Sequence, residues 1–242
     1  MFIIFGILMN DIYNDQTYLK HNPRWGEEDA PMKANAISGL LAKNNISFKR
    51  LAEAGCGSGE IIVQLEKKFP GTEGFYGFDI SKDALQIAAP KETGKIHFEL
   101  LDLAGSIRTD LHFDVLLVID VLEHITDYFS FLNGIRSKST FTVFHIPLDM
   151  SLWSLFRENM LIESKKRVGH IHAFTEEFIL DMLKDHGFDI IDKIYTPPTY
   201  THTSFKQKIT HVIRNFLFFL NKKIASKTIG GYSIMVLTKN SA

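Results

Sequence analysis

Glu53, Gly55, Gly57 and Gly59 stand at alternate positions in Leu51-Ala52-Glu53-Ala54-Gly55-Cys56-Gly57-Ser58-Gly59-Glu60, between an apolar run and a helical pattern at Ile61, Leu65 and Phe69. Glycines there let the backbone approach a ligand and take positive φ in a tight turn, while the opening helix offers unpaired N–H groups. Such a loop cradles a ligand. A second set, Glu123-His124, His145, His170 and His172, gathers side chains able to take a proton from oxygen or nitrogen near neutral pH.

Strands must end where these residues begin. Gly74-Phe-Tyr-Gly-Phe-Asp79 reads as a second strand after the Leu51 run, Ile96–Leu103 as a third, and the almost continuously apolar His112–Asp120 as a fourth, buried on both faces. Asp29-Ala30-Pro31 starts a helix ahead of the first strand, with Ala34, Ile37, Leu40 and Leu41 on one face. A helix from His124 to about Arg136 carries Ile125, Phe129 and Leu132, and Thr140–His145 is the fifth strand. Thr175 caps a helix with Phe178, Ile179, Met182 and Leu183 that stops at Gly187; Phe188–Tyr195 and Gly231–Leu237 are the last two strands.

Spacing narrows the ligand. A dinucleotide loop, G-x-G-x-x-G, counted from Gly55 and Gly57 would place its last glycine at Glu60, whose carboxylate repels a pyrophosphate. E-x-G-x-G-x-G instead resembles motif I of the class I methyltransferases, whose ligand is the sulfonium S-adenosylmethionine, converted to S-adenosylhomocysteine. Asp120-Val121-Leu122-Glu123-His124-Ile125 looks like the D-x-x-E-H segment of family members of the quinone-biosynthesis type. The resemblance implies a Rossmann-like α/β fold: seven strands in the order 3-2-1-4-5-7-6, the last antiparallel, with helices on both faces. It also implies cofactor contacts from Glu53, Gly55, Gly57 and Gly59, from Asp79 and Ile80 at the ribose, from Asp102 and Leu103 at the adenine, and from Ile119 and Asp120. Residues 1–34 form an N-terminal lid or extension and 35–242 the catalytic domain, with insertions at 146–173, a substrate lid, and 197–230.

Methyl transfer is an in-line displacement that needs the acceptor beside the methyl group and a base for its proton. His124, opening the helix behind the cofactor strand, is the expected base, with Glu123 beside it; the alternative is that the pair only fastens that helix. Tyr18, Trp25, His145, Trp153, His170 and His172 are the expected acceptor contacts, and His170 and His172, two apart, would point the same way from an extended backbone. Two adjacent residues rarely converge on one ion and the sequence marks no third ligand beside Glu123 and His124, so no metal is expected.

The 45% hydrophobic chain of 242 residues suits one α/β domain with additions. Its single cysteine, Cys56, excludes a disulfide framework, fits a reducing cytoplasm, and reads as a small filler between motif glycines. Met1–Met9 is apolar, but it lacks a basic n-region and is far short of the ~20 residues that span a bilayer.

The net charge of −1 conceals an asymmetry: no acid follows Asp192, while Lys193, Lys206, Lys208, Arg214, Lys222, Lys223, Lys227 and Lys239 make that segment +8. Phe205, Ile209, Val212, Ile213, Phe216, Leu217, Leu220 and Ile224 add a helical stripe among these cations. This basic amphipathic helix reads either as a core or homodimer element or as a membrane-peripheral surface. An anionic small-molecule or lipid-linked acceptor, methylated at oxygen, fits the charge. Nucleic acid is disfavoured by a pI near 6.8 and by the absence of an N/D-P-P-Y segment after strand four. The other readings are a non-catalytic binding protein of the same fold and an NAD-linked oxidoreductase, the latter opposed by Glu60.

Overall fold

Side chains alternate across a strand, and in the segment Phe113–Ile119 this alternation sends Val115, Leu117 and Ile119 into one apolar layer and Leu116 and Val118 into the other. A strand apolar on both sides belongs at the centre of a sheet covered on both faces. The computed structural model, which describes residues 19–20, 22, 24–108, 110–157, 159–197 and 216–241, places it there.

The strands are β1 (Arg50–Ala54), β2 (Gly74–Asp79), β3 (Ile96–Leu100), β4 (Phe113–Ile119), β5 (Ser139–Pro147), β6 (Phe188–Thr196) and β7 (Ser233–Asn240). They form one seven-stranded sheet in the order β3-β2-β1-β4-β5-β7-β6. β1 to β5 run parallel, and β7 lies antiparallel between β5 and β6. Strand order and the direction of the last strand are those implied by the resemblance.

The helices are α1 (Ala30–Lys43), α2 (Glu60–Lys68), α3 (Lys82–Ala88), α4 (Tyr128–Arg136), α5 (Leu152–Leu155), α6 (Asn159–Val168), α7 (Glu176–Asp185) and α8 (Lys222–Thr228). Ala34, Ile37 and Leu41 of α1 join Ile62 and Leu65 of α2 over one face of the sheet. Leu132 and Ile135 of α4 join Ile179 and Leu183 of α7 over the other. Each fully buried Leu or Ile in these layers contributes about 1.5–3 kcal/mol relative to an exposed one. The boundary expected at residue 34 falls inside α1.

Several elements differ from expectation. β3 ends at Leu100, leaving Asp102 and Leu103 in the turn beyond it. His124 does not open a helix: it closes a single 3-10 turn, Leu122–His124, and α4 starts at Tyr128, where the Asp127 carboxylate accepts the Ser130 N–H at 3.0 Å. That cap resets the helical phase, so Tyr128, Phe131, Leu132 and Ile135 face inward while Phe129 is exposed. Phe178 likewise faces outward. The basic helix is interrupted at Asn221, whose side chain caps α8, and its residues Phe216, Phe219, Leu220 and Ile224 are exposed instead of packed in the core. Residues 198–215 of that segment, Tyr18 and Met1–Met9 lie outside the described residues.

Candidate active site

Parallel strands direct their C-terminal ends to one edge of a sheet, and loops leaving those ends enclose a cleft. Here β1, β4 and β5 open onto a cleft of about 450 Å³. The glycine loop forms one wall. Gly55, Gly57 and Gly59 have φ of +74°, +52° and +72°. At Gly57 a Cβ would fall 2.6 Å from Trp25 Cδ1, because the edge of the Trp25 indole abuts this backbone. The loop is tied down by the Gly55 and Cys56 N–H groups, which donate to Phe78 O, and by the Gly57 N–H, which donates to Asp79 Oδ2 at 2.8 Å. Lys91 fastens the entering segment to it, reaching Glu27 at 2.6 Å, Glu60 at 3.1 Å and Ser58 O at 2.9 Å.

Glu53, at the mouth of β1, is buried and its Oε2 has no hydrogen-bond partner. Burial pushes its carboxyl well above the usual range, which Lys33 opposes and Asp79 and Asp120 reinforce. An orphaned carboxylate beside a lysine suits a zwitterion, such as the amino-acid end of the expected cofactor. Asp79 also suits the ribose: its two oxygens accept the Gly57 and Ser81 N–H groups, and each retains a second lone pair. The residues therefore fit the adenosyl amino acid.

Across the cleft floor runs a chain of charge. Lys33 Nζ of α1 stands 2.6 Å from Asp120 Oδ2, and His145 Nδ1 of β5 stands 2.5 Å from Asp120 Oδ1. His145 Nε2 is 2.7 Å from Thr196 Oγ1. Burial works against both members of the lysine–aspartate pair and is overcome: Asp120 raises Lys33 to about 12, while His145 and Lys33 hold the Asp120 carboxyl far below the usual range. Asp120 adopts φ +53°, a costly conformation for a residue with a side chain, and its N–H donates to His145 O.

The far end of the cleft is built from two segments. Glu123 and His124 come from the turn after β4, His170 from the loop after α6, and the Ile171 and His172 N–H groups both donate to Glu123 O, stitching the two together. Glu123 is fully buried with neither carboxylate oxygen hydrogen-bonded. Burial, then the charges of Asp120 and Asp149, raises its carboxyl well above the usual range. The His124 ring accepts no proton readily: burial, and His170 beside it, lower it to about 4.

The sequence candidates separate accordingly. Glu53, Gly55, Gly57, Ile119, Asp120, Glu123, His124, His145, His170 and Trp25 line one cleft. Gly59 does not; it precedes α2 and packs on Phe98. Asp79, Ile80, Asp102 and Leu103 lie outside the lining: Ile80 is exposed, Leu103 is in the core, and Asp102 accepts the Gly105 N–H in a local turn. His145 has both ring nitrogens engaged and acts on Asp120, which makes it a positioning residue instead of an acceptor contact. Trp153 lines a neighbouring cavity with Met160 and Lys166 and lies 5.6 Å under the Arg157 guanidinium. His172 turns away from His170: two successive N–H groups converge on Glu123 O, so the backbone is not extended, and the His172 ring packs on Tyr128 with Nε2 on Ile125 O. Cys56 is a buried filler, its thiol pushed up by burial.

Lys33, Asp149 and Arg167 were missed. Lys33 sits one helical turn from Asp29 beside the core stripe of α1, and nothing in that local position points to Asp120, far along the chain.

This sheet order, with a glycine loop after β1 and an acid ending β2, defines a class I, S-adenosylmethionine-dependent methyltransferase. The family model described as "Methyltransferase domain" matches residues 28–193, and the chain belongs to that family. Solved structures agree in fold. Magnesium protoporphyrin IX methyltransferase from Synechocystis PCC 6803, with bound S-adenosylhomocysteine, is 17% identical with a TM-score of 0.64, over 96% of this chain and 98% of that one. A Haloferax volcanii protein described as a putative methyltransferase, in complex with the Trm112 activator, is 11% identical with a TM-score of 0.66, over 97% of both chains. The plantazolicin methyltransferase BpumL is 17% identical with a TM-score of 0.59, over 97% and 95%. No curated protein matches significantly.

Proposed function

We propose that this methyltransferase acts on an oxygen of a small, negatively charged acceptor, carried on or derived from a lipid, seated between Trp25 and the His124–His170 end of the cleft. One observation carries the reading: a single cleft is lined by the glycine loop, by His124 and His170, and by Arg167 of α6. The bound cofactor supplies an electrophilic methyl group. Glu53 and Lys33 would hold its amino-acid end, Gly55 and Gly57 would admit it, and Asp79, which lies just behind the lining and fixes the Gly57 N–H, would serve the ribose. His124 lines the acceptor end with Nδ1 directed to Gly169 O at 3.1 Å; buried beside His170 it stays neutral at pH 7 and is a weak base, suited to orienting the acceptor hydroxyl. Arg167 lines the acceptor end and offers a planar fork for a carboxylate or phosphate.

Support for a lipid-linked acceptor comes from the rim. Leu152, Trp153, Leu155 and Phe156 are exposed on and after α5, and α8, which packs on α5, adds Ile224 and Lys222. Among the described residues no helix is long and apolar enough to cross a membrane. The rim suits peripheral contact with an anionic surface; a homodimer through the same face is the other outcome. Screening matched pairs of phenolic and lipid-linked acceptors, charged and neutral, with Arg167→Ala as comparison, tests the reading. Anionic acceptors should react at least tenfold faster, a preference that Arg167→Ala abolishes; equal rates for neutral analogues would refute it.

A further inference from the structure

We propose that Glu123, His124 and His170 hold a divalent transition-metal cation at the acceptor end of the cleft. Three observations meet there. The ligand atoms of the three side chains lie within 4.8 Å of one another, with Nε2 of each histidine 4.0 Å from Glu123 Oε1. Both oxygens of the fully buried Glu123 carboxylate lack a hydrogen bond, a costly arrangement that a cation removes. Each histidine has its far nitrogen held: His124 Nδ1 meets Gly169 O at 3.1 Å, and His170 Nδ1 meets Asp149 Oδ2 at 2.6 Å.

That last feature sets the tautomer. A backbone carbonyl accepts only, so the His124 proton resides on Nδ1 and the Nε2 lone pair is directed at the cluster; the Asp149 carboxylate imposes the same on His170. Histidine ligands are oriented in this way, by a carbonyl or carboxylate behind the ring. The sequence expectation of no metal rested on the lack of a third ligand beside Glu123 and His124. The structure supplies it from a remote loop, fastened by the two N–H groups on Glu123 O.

Donor chemistry selects the ion. Two imidazoles and one carboxylate suit zinc, manganese or iron(II), whereas calcium prefers an all-oxygen shell. Metal bonds of about 2.1 Å, at angles between square and tetrahedral, set ligand atoms about 3.0–3.4 Å apart, so the 4.0 Å histidine–glutamate distances must close by about 0.6–1.0 Å and no pair of the cluster, all within 4.8 Å, by more than about 1.8 Å. The His124 and His170 rings pack edge to face with centroids at 5.0 Å, and the Nε2 of each lies 4.0 Å from the same Glu123 oxygen. Three protein ligands leave positions open to the cleft, where an acceptor hydroxyl would bind and lose its proton to solvent more readily. This last role rests on the proposed oxygen acceptor; the binding of the ion does not.

The test is metal binding by the full chain, stripped with chelator and titrated with Mn²⁺, Zn²⁺ and Co²⁺ by calorimetry, with Co²⁺ also followed by its visible absorption. One ion per chain at micromolar or tighter affinity is expected, falling at least 100-fold in Glu123→Gln and in His170→Asn. S-adenosylhomocysteine affinity, measured on the same preparations, should stay within about threefold and reports that each variant is folded. His172→Asn, a histidine next to the cluster but turned from it, should bind the ion normally. No binding, or equal binding by wild type and both ligand variants, would overturn the site. Metal bound without transfer to any oxygen acceptor would sink the acceptor reading and leave the metal site standing.

Discussion

The Lys33 ammonium stands 2.6 Å from the Asp120 carboxylate, joining the helix that enters the domain to the strained turn that leaves β4. The pair lines the cleft and holds α1 over its floor. Its protonation is legible in stability. A lysine raised in the folded state contributes fully below its ordinary value of 10.5 and loses that contribution as pH climbs through about 12. At about 1.4 kcal/mol per pKa unit the interaction is worth about 2 kcal/mol. Thermal melts between pH 9 and pH 12 should therefore show an alkaline loss in wild type that Lys33→Met lacks, together with a variant about 1–3 kcal/mol less stable at pH 8. Parallel alkaline limbs would remove the pair from the argument.

Trp25 and Gly57 make a steric prediction. Alanine at 57 meets two penalties: a positive φ of +52° and an indole carbon 2.6 Å from the new Cβ. The first costs about 1–3 kcal/mol whatever surrounds it, and the second vanishes when the indole is gone. Gly57→Ala should lose at least tenfold in S-adenosylhomocysteine affinity and melt several degrees lower. Adding Trp25→Ala should recover part of the melting temperature beyond additivity, a coupling that a double-mutant cycle measures. Strict additivity would mean that the indole does not rest on the loop in solution.

The two histidines of the loop after α6 should behave in opposite ways. His172→Phe keeps a ring against Tyr128 and Phe174 and loses only the hydrogen bond to Ile125 O, so methyl transfer should stay within about threefold of wild type, with about 1 kcal/mol lost in stability. His170→Ala opens the acceptor end and should lower turnover at least 100-fold at unchanged cofactor affinity. Initial rates at saturating cofactor distinguish the two; a larger loss at His172 would reverse the assignment.

What the sequence disclosed follows from how local each signal is. Buried parallel strands announce themselves by apolar runs ending in an acid, and β1, β2 and β4 were legible for that reason. The glycine loop was legible because positive φ at alternate residues leaves a mark that few other structures need. Relationships across the sheet left none. Lys33 meets Asp120 only once α1 lies over the C-terminal edge, and His170 reaches Glu123 only because a distant loop is stitched to the turn after β4. Local backbone detail separated His170 from His172, and the Asp127 cap moved His124 out of a helix. The first two are tertiary contacts and the last two local backbone features, and a periodic pattern carries none of them.

Glu53 gives the prediction most exposed to failure, because its sign runs against the usual one for an acid. A carboxyl whose folded value is raised above its ordinary 4.5 binds its proton more tightly when folded, so stability declines as pH rises from 4.5 toward the raised value. Glu53→Gln cannot ionise. Wild type and variant should melt together near pH 4.5, and the variant should gain on wild type as pH rises, by about 1 kcal/mol near pH 8, since its amide still lacks partners. For a domain of this size that is about 2–4 °C. Affinity should move the other way: the ammonium of S-adenosylhomocysteine loses its counter-charge, and binding should weaken at least tenfold at pH 8 while the melting temperature of the free protein is higher. A variant that is both less stable and normal in affinity would show that Glu53 serves the fold and not the ligand.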